Sequence, residues 1–367
     1  MPSPTRRYDI DWLRVIAIWL LIFYHIAIGF QPWGALIGFI QHGAPATGLQ
    51  VPMSLLSIWR IPLLFFISGM GVSFALRKRN WKALLIERSR RILLPFVFGM
   101  VAIVPIHILL WQDYYRQDLV YTPTMGHLWF LGNIFAYVLV LSPLFFYLKA
   151  HPEGRLAQGI RRVMGHPLGF GLVVLPFVLE AVVMRPEAFE LYAYTWHGFW
   201  LGMVAFLTGF LMVSSGASFW ESLRRGRWAY LLLAFGLFMV RWLVFGLKSP
   251  SALMAIESNL WVFAVLGLGF RYLNRHHAAL PYLSQAAYPV YILHMVFLYL
   301  GSYVLFPLDL PVGLTFAAVS VITLGGCYAS VALIRRLRWL APLFGLKAVR
   351  RAGKTRPVPK PPVEAAG

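Results

Sequence analysis

One cysteine, Cys327, stands in 367 residues, which excludes intramolecular disulfides and cysteine-rich metal sites whatever compartment the loops face. Charge is scarce too: 13% of residues are charged, against roughly 25% in soluble domains, and acids number 13 to 33 Lys and Arg. No stretch is polar enough for a separate soluble domain, and the apolar runs lack the alternation of a transmembrane barrel. The first run extends to about residue 30 without a small-residue cleavage pattern, so no cleavable signal peptide is expected. What is present is apolar: 59% of residues are hydrophobic and mean hydropathy is +0.69. The expectation is an all-α, polytopic integral membrane protein.

About ten runs approach the 20 residues that cross a bilayer, at 10–30, 52–75, 92–111, 127–148, 167–184, 198–213, 228–247, 251–270, 284–305 and 312–334. The sixth is short and is expected to be irregular. The cations follow a rule. Arg6 and Arg7 precede the first run, and Arg77, Lys78, Arg79, Lys82, Arg88, Arg90 and Arg91 follow the second. Lys149, Arg155, Arg161 and Arg162 follow the fourth; Arg224, Arg225 and Arg227 the sixth; Arg271 and Arg275 the eighth; Arg335, Arg336 and Arg338 the tenth. The opposite connections hold only Arg116, Arg185 and Lys248. This alternation puts both termini in the cytoplasm. It also assigns the net charge of +20 to topology and to membrane lipid rather than nucleic acid. Residues 1–345 are read as one membrane domain, and 346–367, basic and proline-rich, as a disordered cytoplasmic tail.

Ionisable side chains inside a span cost a few kcal/mol each, so each calls for a reason. They are Arg14, His25, Arg60, Glu180, Arg241, Glu257 and His294. Arg14 and His25 are eleven residues apart, which returns to within about 20° of one helix face, roughly 16 Å along the axis. Asp11 lies one turn before Arg14, placed to orient it. Arg60, Glu180, Arg241 and Glu257 fall toward the outer half of their spans, where two acids and two bases can neutralise each other. Structural ion pairing is the plainer reading of those four, hydrogen-bonded packing that of His25, and an interfacial belt that of Trp129, Trp196 and Trp200.

Arg14, ten residues and His25, directly after "YDIDWLR", resembles the signature of the membrane-bound acyltransferase family 3. "FFISGMGVSFALRKR" at 65–79, "RSRRILLPF" at 88–96, "GHLWFL" at 126–131 and "LSQAAYPVYILHMVF" at 283–297 resemble that family in order. "RRYDIDWLRVIA" and "FYHIAIGFQPW" are most similar to its glucan biosynthesis protein C branch, which succinylates periplasmic glucans. The resemblance implies a multi-pass protein of the bacterial inner membrane. It implies transfer of a succinyl or acetyl group from cytoplasmic acyl-coenzyme A to a carbohydrate hydroxyl, without a metal.

On that reading His25 is the general base. Arg14, Arg90 and Arg91 hold the coenzyme A phosphates, and Ser68, Tyr288, Tyr291 or backbone amides of "SGMG" are oxyanion donors, with His294 orienting a tyrosine or the substrate. Arg60 or Arg241, with Glu180 and Glu257 nearby, binds the acceptor or a succinyl carboxylate. Oligomeric state and glucan-synthesis partners are left open. The alternatives are a transporter with mid-membrane polar residues and a scaffold that binds no acyl-coenzyme A.

Overall fold

The structure is a computed structural model that describes residues 6–166 and 169–346. Among them there are helices and no strands, as a lipid solvent requires. The helices are α1 (Tyr8–Ile28), α2 (Gln50–Leu76), α3 (Trp81–Tyr114), α4 (Trp129–Ala150), α5 (Arg155–Gly165), α6 (Gly169–Met184), α7 (Trp196–Ser214), α8 (Ala217–Leu243), α9 (Ser251–Tyr272), α10 (Leu280–Leu305) and α11 (Val312–Arg336). Eight are long and apolar enough to cross a membrane. A ninth candidate is the pair α5 and α6, bent by 104° at its break. The chain is a polytopic membrane protein. The run at 198–213, expected to be irregular, is the regular helix α7, started by the Thr195 hydroxyl on the Gly198 amide. The tail expected at 346–367 lies, beyond residue 346, outside the described residues.

Helix α1 is central and packs against α2, α9, α10 and α11. Helices α2 and α7 meet backbone to backbone: a Cβ on Gly69 would fall 1.8 Å from the Phe206 carbonyl oxygen, and one on Gly209 2.0 Å from that of Phe66. Lipid supplies no hydrophobic drive between helices, so close approach at small residues does the work.

Prolines inside helices free carbonyls, and polar side chains take them. Pro62 lacks the N–H that would bond the Ile58 carbonyl, which accepts from the Tyr192 hydroxyl at 2.9 Å and the Ser258 hydroxyl at 2.7 Å instead. Pro105 likewise frees the Val101 carbonyl, which accepts from Tyr121 at 2.9 Å. Helix α3 carries two wider π turns, Ser89–Leu93 and Gly99–Ile103, just before Pro95 and Pro105.

The basic connections gather at one end of the bundle. Arg7 stacks on Trp220 and Phe270, Lys149 donates to the carbonyls of Leu76 and Arg79, and Arg335 stacks on Tyr282. Connections poor in cations meet at the other end, where Tyr299 donates to Gly38 and Tyr194 to Gly126.

Candidate active site

His25 closes the last turn of α1, where its Nδ1 is 2.9 Å from Nε2 of His294 on α10, with the rings stacked. His294 is fully buried, and its Nδ1 lies 2.6 Å from the Tyr291 carbonyl oxygen, one turn earlier. The link expected between His294 and a tyrosine therefore runs through that backbone rather than a hydroxyl. His127, in the turn before α4, reaches across to α10: its Nε2 is 3.0 Å from the Ile292 carbonyl oxygen, and the Tyr291 hydroxyl donates to the His127 carbonyl. His107 of α3 lies beside His127, ring centroids 5.5 Å apart. Among the described residues no three His, Cys, Asp or Glu side chains are arranged to hold a metal ion.

His25, His107 and His127 border a cavity of about 820 Å³, large enough for a small-molecule substrate, with His294 buried behind His25. Tyr24, His25 and Arg60 line one wall, His107, His127 and Trp129 another, and Glu190, Tyr192 and Tyr194 lie over it. Trp129 thus lines the cavity, whereas Trp196 and Trp200 are exposed. The loop over the cavity is fastened by the Tyr192 hydroxyl on Ile58. Burial, and to a lesser degree the Glu190 carboxylate, raise that hydroxyl well above its usual pKa, so it remains a neutral donor.

Arg14 lines a second cavity of about 480 Å³, on the side of the basic connections, with Arg88, Arg91, Ser68, Ser284 and Tyr288. Asp11 lies 3.5 Å from Arg14, and its other contacts are Arg6 and the Ser284 hydroxyl, so the expected one-turn pair is present. Arg90 does not line this cavity; Arg88 does. Residues three apart share a helix face, as Arg88 and Arg91 do, whereas Arg90 points about 100° away from Arg91. The two cavities share three lining residues, Leu64, Phe130 and Tyr291. Arg14 and His25 consequently open onto adjacent cavities on one side of α1.

Other expectations need correction. The Ser68 hydroxyl donates to the Leu64 carbonyl of its own helix, and the Tyr291 hydroxyl is held by His127. The "SGMG" amides lie inside continuous helix α2, where the backbone ladder takes them. The Tyr288 hydroxyl has no partner among the described residues, but it lies in the Arg14 cavity. Two acids do not neutralise two arginines. Arg241 makes a two-point pair with Glu257 at 2.7 and 3.0 Å and also donates to Ser54, whereas Glu180 bonds His197 at 2.9 Å. Among the described residues Arg60 has no carboxylate partner; its guanidinium lies over Tyr24, 3.8 Å from the ring centre, and its Nε and Nη1 have no hydrogen-bond partner.

Fold and site define a membrane protein with a cationic cavity and an imidazole cavity back to back. A family profile for an acyltransferase domain, acyltransferase family 3, matches residues 7–333, so the chain belongs to that family and is a membrane acyltransferase. Comparison with curated proteins and with solved structures gives no match. His107, His127, Tyr192 and Arg88 escaped the reading of the chain as site residues. "GHLWFL" already contained His127, and Arg88 stood three residues from Arg91; for Tyr192, in the loop between α6 and α7, the sequence offered no signal.

Proposed function

We propose that the protein carries an acyl group from cytoplasmic acyl-coenzyme A to a hydroxyl of a carbohydrate on the far side of a bacterial inner membrane. Succinyl is favoured over acetyl, and a glucan is the favoured acceptor. The observation that carries this reading is the pair of adjacent cavities: cations line one, His25 the other, and both open from the same helix. Phosphates cannot enter lipid cheaply and need paired cations at the mouth. Arg14, Arg88 and Arg91 supply them, and the pantetheine arm threads inward past Leu64, Phe130 and Tyr291 to bring its thioester to His25.

His25 then takes the proton of the acceptor hydroxyl as the oxygen attacks the thioester carbon. The tetrahedral intermediate collapses, the C–S bond breaks, and the proton leaves His25 for the sulfur. Arg60 is the group that favours succinyl: an unpaired guanidinium in the His25 cavity suits a carboxylate on the acyl chain, and Arg241 is already saturated. This contrast also favours acyl transfer over the transporter and scaffold readings.

Ten spans with both termini cytoplasmic fit the same picture. Helix α8 has 27 residues and pairs closely with α9, and its cations Arg224, Arg225 and Arg227 cluster near its start, leaving 228–243 apolar except for the neutralised Arg241. The deciding experiment reconstitutes the full chain in proteoliposomes and measures thiol release from succinyl- and acetyl-coenzyme A with glucan oligosaccharide on the opposite side. His25→Ala is expected to abolish turnover while elution in detergent stays unchanged; near-normal turnover would end the assignment.

A further inference from the structure

We infer that His294 is a positioning residue that locks His25 in one tautomer, proton on Nδ1 and lone pair on Nε2 facing the cavity. The inference rests on the proposed role of His25 as base.

The chain of donors starts at a group with no choice. A backbone carbonyl can only accept, so the His294 nitrogen 2.6 Å from the Tyr291 oxygen, Nδ1, carries a proton. A neutral imidazole with its proton on Nδ1 has a lone pair on Nε2. His25 Nδ1 lies 2.9 Å from that lone pair and must be the donor. The charged alternative, a proton on both nitrogens of His294, would put a cation at a position 0% exposed. The titratable groups facing it are His25, His127, His107 and Tyr291, none a carboxylic acid, and beyond His25 lies the cation Arg60. Burying an unpaired charge there is costly.

The free nitrogen of His25 follows. Nε2 makes no hydrogen bond among the described residues, and the ring lines the 820 Å³ cavity beside Arg60. An imidazole with the opposite tautomer would present N–H to the acceptor alcohol and could not take its proton. When Nε2 accepts that proton, the Nδ1–H bond to His294 becomes charge-assisted and strengthens, which stabilises the imidazolium without a carboxylate. His127 is fixed by the same device: its Nε2 faces the Ile292 carbonyl, so it donates there, and its Nδ1 is buried with no partner among the described residues. Consecutive carbonyls of α10 thus set both rings.

Two measurements test this on the full chain in proteoliposomes. In protein labelled with ¹⁵N-histidine, the difference between wild type and His25→Ala isolates the His25 ring, expected in the Nδ1-protonated form; the Nε2-protonated form would overturn the inference. In the thiol-release assay with succinyl-coenzyme A and glucan oligosaccharide, His294→Leu is expected to lower kcat about 100-fold with KM for the donor within about twofold. His294→Gln, whose amide oxygen can accept from Nδ1–H, should recover about tenfold of that. Equal losses in the two variants, or more than half of kcat left in His294→Leu, would sink the role of His294. A His25→Ala protein that still turns over would instead sink the base assignment. If His294→Leu does not fold, the spectrum of the wild type decides alone.

Discussion

Arg60 and Arg241 are buried alike, at 2% and 0% exposure, and both touch α2: Arg60 grows from it, and Arg241 reaches its Ser54 from α8. Arg241 donates from Nε, Nη1 and Nη2, to Glu257 and to the hydroxyl and carbonyl of Ser54. Arg60 stacks on one ring and leaves Nε and Nη1 without a partner on the edge of a cavity. A saturated buried cation holds helices together, whereas an unsatisfied one carries a penalty that a ligand can remove. The same residue type therefore has a structural use at one position and, on our reading, a binding use at the other.

The comparison can be broken in order of expected size. Arg241→Ala leaves Glu257 buried without its partner and should cost about 3–5 kcal/mol, read as a large drop in thermal midpoint in detergent. Replacing both partners, Arg241→Met with Glu257→Leu, should recover most of that; a double variant as unstable as the single one would show that the pair is not the reason. Arg60→Ala should leave stability within about 1 kcal/mol of wild type. It should nonetheless raise KM for succinyl-coenzyme A by about 10- to 100-fold, the worth of one or two charged hydrogen bonds, with KM for acetyl-coenzyme A nearly unchanged. Equal effects on the two donors would assign Arg60 to the acceptor instead.

Arg14→Ala and Arg91→Ala should each raise KM for either donor about tenfold, an effect that shrinks as salt rises, because these cations sit at a solvated mouth. Arg90→Ala, on the same turn but outside the cavity, is the control and should change KM less than twofold. Smallest is Tyr192→Phe, expected to cost about 1 kcal/mol through the Ile58 carbonyl that Pro62 leaves free.

The membrane class was legible because lipid tolerates few solutions, and both the apolar runs and the cations between them obey its rule. Arg14 and His25 were legible because the helical repeat fixes which side chains share a face. Pairing among Arg60, Glu180, Arg241 and Glu257 was not, since it depends on which helices touch. Glu180 found His197, seventeen residues later along the chain and absent from the intramembrane residues considered, rather than either arginine. Arg88, three residues from Arg91, shares its helix face, whereas Arg90 lies about 100° away; that spacing was visible in the chain, but which face borders the cavity was not.

The sequence by itself determined that this chain lives in a bilayer, the family it belongs to, and the two polar groups that α1 carries at different depths. Those follow from local rules: hydropathy over one helix length, 100° per residue, charge between spans. Only the tertiary structure decided that His25 meets His294, that the cavities of Arg14 and His25 share Leu64, Phe130 and Tyr291, and that Arg60 stays unpaired while Arg241 does not. Such contacts join residues up to 269 positions apart, and long-range packing, not any local pattern, chooses among them.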